Sequence, residues 1–419
     1  MKISVDPVFS SRINVAWNLL PPAQQARLAP AILGGHQQAV SVSQTGKAPL
    51  APAQPHHLML AHSALTNDSD RVLGSLDAGA VLDVGPDGVI WGTGKYEQLD
   101  PGWVEAFAVF LESQLPEVGG KHPFVSTPQT IQIPNTVRLA LAGDWGTGDW
   151  RTAANPAPST DVRNHIAFLQ PDLTIHLGDV YYAGTAEEED HELVRLWPRG
   201  SMGSLALNSN HEMYSGAKPY FRAISSAPFE IQRGCSYFAL ENDHWIIVGL
   251  DSAYYADDGN LFMDGALYPA NRPNEQNSFL LTLQARAEAG NKRLILLTHH
   301  AGLDEAGSTT NDLWKQVMDA FPSGGGPAYW YWGHVHAGAV YQPHGPANTL
   351  CRCCGHGALP WGQSSILSGS AAVVWHETRP ANDPDIPQRV FNGFAMLNLD
   401  GPNLQEVFYD ENGGVAWQS

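Results

Sequence analysis

Basic side chains are scarce in this chain of 419 residues, where 23 lysines and arginines face 42 aspartates and glutamates for a formal charge of -19 at pH 7. Binding to nucleic acid or to anionic lipid headgroups needs a basic surface, so long nucleic acid and membrane are not expected partners. Cysteine is sparse too: Cys235, Cys351, Cys353 and Cys354 are too few for a disulfide scaffold at this length. No apolar run reaches membrane-spanning length. The opening MKISVDPVFSSRINVAWNLL carries one early lysine but no uninterrupted apolar stretch and no small-residue cleavage site, which makes the cytoplasm the expected location. There is no internal repeat and no low-complexity segment. What the chain does have is 43% hydrophobic residues, enough core for one large or two ordinary domains.

The texture changes near residue 130. Before it, the helix-like QQARLAPAIL and WVEAFAVFLESQL flank AVLDVGPDGVIWG, whose Pro-Asp-Gly is turn chemistry between β-branched runs. Residues 1–130 therefore form an accessory or cap region. It has no ligand-type cluster, and His56 and His57 in AQPHHLML read as a surface or partly buried pair. KHPFVSTPQTIQIPN, with three prolines, reads as a linker. From there on short β-branched runs (VRLALAG, LTIHLGD, HWIIVGLD, RLILLTHH, AYWYWGH, FAMLNLD) alternate with helical segments such as NEQNSFLLTLQARAEAG and NDLWKQVMDAF. Such alternation predicts an α/β fold of layered sheets and helices over residues 131–419.

Five of the apolar runs or their following loops end in metal-binding residue types: Asp144 after VRLALAG, Asp179 and Tyr182 in GDVYY, Asn210 to Glu212, His299 and His300 after RLILL, and His334 and His336 in GHVH. Ligands in open α/β sheets sit at the carboxyl ends of strands. A carboxylate such as Asp179 can bridge two cations held about 3.5 to 4 Å apart, a spacing that stabilises both oxygens of an in-line displacement. Neutral imidazoles and an amide oxygen then complete coordination without excess charge.

In this order, Asp-x-Gly, Gly-Asp-x-x-Tyr, Asn-His-Glu, His and Gly-His-x-His resemble the calcineurin-like metallophosphoesterase superfamily, and within it most of all the purple acid phosphatases. The similarity spans roughly residues 137 to 400. It implies an α/β/β/α sandwich, with Asp144, Asp179, Tyr182 and His336 on one ion and Asp179, Asn210, His299 and His334 on the other. Most of the wider superfamily has a histidine where this chain has Gly146. A phenolate is the substitute, and a hard anionic oxygen of that kind suits Fe(III), partnered by Zn(II), Mn(II) or Fe(II). The Asp-x-x-Tyr spacing favours Tyr182, with Tyr181 the neighbour that takes the role if the backbone is shifted. His299 is assigned to metal and His300 to the substrate side. Ser209 stands where the family usually has glycine.

The implied reaction is hydrolysis of phosphate esters, monoesters above diesters, by water that the ions make acidic, with a pKa of roughly 7 on zinc. His211, next to a ligand, is the candidate to protonate the leaving oxygen or clamp the phosphoryl group, oriented by Glu212. A phosphodiesterase acting on nucleotides or small diesters is the alternative, and an inactive metal-binding protein a third reading. The expected partner is a small phosphorylated molecule. Cys351-Arg-Cys-Cys-Gly-His356 lacks zinc-site spacing and reads as a tight loop at the rim of the cleft, where a redox-sensitive thiol pair remains open and Arg352 and His356 are solvated or touch substrate. Trp145 and Tyr181 are expected to shape the cleft, Asp251 to support the ligands from behind or to be structural, and Glu187 to Asp190 to be the solvated first turn of a helix.

Overall fold

A computed structural model describes residues 3–50, 53–66, 68, 70–74, 76–269, 272–322 and 324–419. Two sheets make its centre. The six-stranded sheet runs in the order Val415–Gln418, Asn403–Asp410, Gly393–Asp400, Thr136–Ala142, Leu173–His176, Gly203–Ala206, and its last three strands are parallel. The eight-stranded sheet runs Val373–His376, Gly338–Tyr341, Leu350–Cys354, Tyr329–Trp332, Arg293–Thr298, Trp245–Gly249, Phe238–Glu241, Gln129–Gln132. At its middle four consecutive strands, 245–249, 293–298, 329–332 and 350–354, pair in parallel.

Successive residues of a strand point to opposite faces, and both faces of the central strands are covered, so those strands are largely apolar. Val137, Leu139 and Leu141 join Ile295, Leu297 and Tyr331 in the layer between the sheets. The alternate residues Ala140, Ala142, Leu296, Trp330 and Trp332 belong to a second cluster that the helices cover. The outer helices begin and end where local chemistry dictates. Pro158 starts Pro158–Leu169, while Asn274 caps Glu275–Gly290 by accepting from the Gln276 amide and Asn291 closes that helix in the left-handed region. The architecture is the layered α/β sandwich expected from the sequence. Among the described residues no helix is long and apolar enough to cross a membrane.

The N-terminal region forms its own helical layer. Asp6 caps Pro7–Leu19, Pro22–Thr45 ends at a left-handed Gly46, and Trp103–Ser113 packs on the first of these helices. The turn of the expected hairpin is made by residues 85–88 between Val81–Val84 and Ile90–Gly92, with the Gly85 amide donating to the Val89 carbonyl. Trp103–Ser113 also packs against the short helix Asn210–Tyr214, so the layer rests on the strand ends.

Two sequence expectations are corrected here. The segment read as a linker contributes an edge strand, Gln129–Gln132, pairing in parallel with Phe238–Glu241, and the 130/131 boundary falls inside it. Its alternating exposure, with polar groups outward, let it read as linker. The cysteine segment is not a loop: Leu350–Cys354 lies within the large sheet. Adjacent Cys353 and Cys354 face opposite sides of that strand, into different core clusters, so they cannot act as a thiol pair. Arg352 and His356 are buried and neither is solvated.

Arg352 instead spans the two sheets. Its Nε and Nη2 lie 2.7 and 2.9 Å from the carboxylate oxygens of Glu406, which also accepts from the Tyr331 hydroxyl at 2.6 Å. A buried carboxylate so paired is costly to leave alone, and removing one partner strands the other charge. Glu406→Ala is therefore expected to lower stability by about 3–5 kcal/mol in urea denaturation. A change below the range of an ordinary surface substitution, roughly 0.5 kcal/mol, would disprove this role.

Candidate metal centre

The carboxyl ends of the parallel strands of both sheets meet at one end of the sandwich. Thr136–Ala142 delivers Asp144, Leu173–His176 delivers Asp179, and Gly203–Ala206 leads to Asn210; from the other sheet Arg293–Thr298 delivers His299, and Tyr329–Trp332 delivers His334 and His336. Asp144, Asp179 and His334 have φ of 57, 79 and 64°, the left-handed region that a side chain enters only at a cost of about 1–3 kcal/mol. Turning the backbone there aims each side chain back across the strand ends. Glycine appears where a side chain is impossible. A Cβ on Gly178 would lie 2.6 Å from His299 Nδ1, and one on Gly146 would lie 2.6 Å from the Asp179 carbonyl oxygen.

Gly146 explains the missing histidine. Its amide donates to the Asp179 carbonyl at 3.1 Å and its carbonyl accepts from the Tyr181 amide at 2.9 Å, a bridge that leaves no space for any side chain. A phenol fills the gap, but it is that of Tyr181. The Tyr181 hydroxyl lies 2.9 Å from Asp179 Oδ2, 3.3 Å from Asp144 Oδ1 and 3.2 Å from His336 Nε2. His336 Nε2 is in turn 3.3 Å from Asp144 Oδ1.

On the other side of Asp179, its Oδ1 lies 3.3 Å from His299 Nε2. The Asn210 amide oxygen is 2.9 Å from His299 Nε2 and 3.2 Å from His334 Nδ1, and these two nitrogens are 3.2 Å apart. Asn210 Nδ2 donates to the Tyr214 hydroxyl and His299 Nδ1 donates to the Leu177 carbonyl, so Asn210 Oδ1 and His299 Nε2 face each other as two lone pairs. A cation between the two satisfies both lone pairs at once. Ligand atoms about 2.1 Å from a metal and at right angles to one another are about 3 Å apart, which is the spacing found in both groups. Asp179 Oδ1, buried and without a hydrogen-bond partner, belongs to one group while Oδ2 belongs to the other. Asp144, Asp179 and His336 also satisfy simple proximity as a metal-holding set. The residues thus fit two ions that share one carboxylate.

Charge tells the same story. Burial and the neighbouring Asp179 raise the Asp144 carboxyl well above the usual range. Burial would raise Asp179 as well, but the imidazoles of His299 and His211 hold it down. Burial lowers His334 to about 3 and holds His336 well below its ordinary value, so the rings are neutral and have lone pairs to give. A set of buried carboxylates and neutral imidazoles without a lysine or arginine among them is a donor set awaiting positive charge.

Several expected site residues lie elsewhere. Tyr182 is turned away from the cluster: its hydroxyl donates to Asp100 Oδ2 at 2.6 Å and accepts from Lys95 Nζ at 2.7 Å, both from the N-terminal layer. Its backbone carbonyl accepts from His211 Nδ1 at 2.6 Å, leaving Nε2 of that ring toward the cluster, 3.9 Å from Asp179 Oδ2. His300 does not face substrate. It lies close enough to His299 and His334 to count with them as a metal set, but its Nδ1 bonds Ser252 Oγ and its Nε2 the Phe262 carbonyl, each at 2.9 Å. Both nitrogens are therefore occupied. Glu212 does not orient His211; its carboxylate accepts from the Ser209 hydroxyl and, at 3.4 Å, from the Asp179 amide. Ser209 in place of glycine serves as the cap of Asn210–Tyr214. Trp145 is buried in the core, its indole N–H on the Ser159 carbonyl, away from the cleft. Asp251 fastens loops through Asn208 and the amides of Ala253 and Tyr254. In the acidic run, Glu188 binds the backbone amides of Tyr182, Ala183 and Thr185, and Glu189 is fully buried rather than solvated.

The sequence also concealed a contribution from the N-terminal layer. Trp103 packs edge-on against Tyr181 and stacks on His56, with ring centroids 5.7 and 4.7 Å away, and lies 5.9 Å from His211. A cavity of about 380 Å³ over the cluster is lined by Asp179, Asn210, His211, His334 and His336 from below and by residues 53–57, Asp87, Val89 and Gln98 from the layer above. Only a His-His pair beside prolines hinted at this.

Residues 137–338 match the model of the calcineurin-like phosphoesterase family. No curated protein sequence matches the chain. Similar solved structures include GAP50, the anchor in the inner membrane complex of Plasmodium, at 10% identity and TM-score 0.46 over 68% of this chain and 88% of that one. Others are a dimetal phosphatase from Danio rerio (11% identity, TM-score 0.41, 65% of this chain and 95% of that chain) and a predicted phosphoesterase from Streptococcus pneumoniae TIGR4 (9%, 0.26, 68% and 98%).

The geometry separates the two tyrosines experimentally. Protein purified without chelator is expected to carry two ions per chain; Tyr181→Phe should lose affinity for one of them, whereas Tyr182→Phe should keep both and lose stability instead. Elemental analysis showing the reverse order would return the ligand role to Tyr182.

Proposed function

We infer, from a calcineurin-like phosphoesterase domain over residues 137–338 with two groups of ligand atoms joined by Asp179, that this protein is a dinuclear metal-dependent hydrolase of small phosphate monoesters. The single observation that carries the reading is the division of Asp179, one oxygen in each group. Asp144, Asp179, Tyr181 and His336 would hold one ion, and Asp179, Asn210, His299 and His334 the other. A buried phenol among carboxylates favours Fe(III) at the first position, with Zn(II), Mn(II) or Fe(II) at the second. Such a pair, when bound, supplies Lewis acidity toward the phosphoryl oxygens and acidified water.

The chain's own part is positioning and proton transfer. His299 is held by the Leu177 carbonyl and Asn210 by Tyr214, so neither ligand must reorganise. His211 has Nδ1 fixed on the Tyr182 carbonyl and turns Nε2 into the cavity. A proton carried on Nε2 is in place to be given to a leaving alkoxide. Trp103 and Tyr214 flank that ring, at 5.9 and 5.0 Å, and restrict its rotation.

The charge of the lining supports an uncharged alcohol portion over a nucleotide. Residues of the N-terminal layer roof a cavity of about 380 Å³, enough for a small ester. Asp87 lines it, burial raises the neighbouring Glu305 carboxyl to about 8, and among the described residues no lysine or arginine lines it, so an alcohol bearing negative charge of its own finds no cationic partner there.

Two measurements test this. The protein should hydrolyse p-nitrophenyl phosphate faster than bis(p-nitrophenyl) phosphate, and Asp179→Asn should abolish both activities. His211→Ala should reduce kcat by roughly 100- to 10,000-fold while both ions remain bound. Full activity of Asp179→Asn would end the hydrolytic reading, and a preference for the diester would replace monoester by diester chemistry.

A further inference from the structure

The site has a shortage that the family domain does not resolve. A phosphoryl group resting on two ions directs some of its oxygens away from them, and those oxygens need hydrogen-bond donors. Among the described residues lining the cavity there is no lysine or arginine. Asn210 Nδ2 is engaged by the Tyr214 hydroxyl, and the Gln98 amide nitrogen donates to the Gln54 carbonyl at 2.8 Å. His211 serves one side of the cavity.

On the opposite side stands His56, on the short turn His56–Leu58 that follows Pro55. Its ring is stacked on Trp103, centroids 4.7 Å apart and planes 26° apart, which fixes its orientation. The ring centroid is 5.8 Å from that of His336, so it overlooks the cluster without joining the ligand atoms. Its Nδ1 is buried and has no hydrogen-bond partner. His57 next to it also borders the cavity, but its ring is 2% exposed and packs against the edge of Tyr214, whereas that of His56 is stacked on Trp103 and faces His336.

Building on the hydrolase reading above, we propose that His56 is a substrate-positioning residue which donates a ring N–H to a phosphoryl oxygen, so that part of the phosphate-binding site comes from the N-terminal layer outside the family domain. The stack on Trp103 supplies rigidity, and the neutral ring adds a donor without adding charge to a cleft already holding cations. Because the same helix presents Trp103 to Tyr181 and His211, the layer sets both the roof of the cavity and the reach of its donor.

The test uses the metal-loaded full chain, its His56→Ala and His56→Gln variants, and inorganic phosphate and p-nitrophenyl phosphate as probes. Loss of one hydrogen bond to an anion predicts that His56→Ala weakens phosphate binding in calorimetry by about tenfold, and raises KM for the ester by a similar factor with a smaller change in kcat. Both ions stay bound, and His56→Gln, which keeps a donor, recovers most of the affinity. A merely structural role would lower thermal stability in both variants without this split between KM and kcat. Unchanged phosphate affinity in His56→Ala, loss of an ion from it, or no phosphate binding by the wild type would overturn the proposal. If the wild type fails to hydrolyse the ester yet binds phosphate through His56, the hydrolase reading falls and the positioning role stands.

Discussion

Everything at the end of this sandwich is arranged around a carboxylate shared between two neighbouring groups of donors. A side chain can serve both only if the strand that carries it ends between the others and its backbone turns sharply. The positive φ of Asp179 provides the turn, and the absence of a side chain at Gly178 lets His299 close against it. The strain is maintained by the surrounding layers, where strands buried on both faces fix the positions of their ends to within the tolerance of close packing. The fold thus performs its largest task before any ion arrives. It brings together carboxylates and imidazoles that would otherwise stay apart in water.

The helical layer formed by the first part of the chain is part of the same construction. Trp103 touches the aromatic rings of Tyr181, Tyr182 and His211, and Asp100 receives the Tyr182 hydroxyl. Adjacent tyrosines face opposite ways, one into the donor cluster and one into the layer, so the docking of the layer and the placing of the phenol are linked through a single peptide unit. A region with no ligands of its own still governs how the ligands sit.

Much of the site was legible in the sequence because strand-end chemistry is local: an apolar run, a glycine and a metal-binding residue lie within a few positions of one another. Asp144, Asp179, Asn210, His299, His334 and His336 could be read this way, and the layered fold from the alternation of strands and helices. The phenol could not. Whether Tyr181 or Tyr182 points inward depends on Asp100 and Lys95, more than 80 residues away in the chain. The same is true of His56, whose neighbour His336 is brought near only by tertiary packing. Cys351 to Cys354 misled through composition, since cysteines attract a chemical reading, while their burial in a central strand makes them small apolar fillers. Glu189 and Arg352 misled because charge suggests solvent until burial or a partner is seen.

Gly146 limits what this corner of the centre can hold. Its backbone is bonded on both sides to the segment from Asp179 to Tyr181, so an imidazole introduced there alone would collide with that main chain. The new side chain would push apart the strand that carries the shared carboxylate.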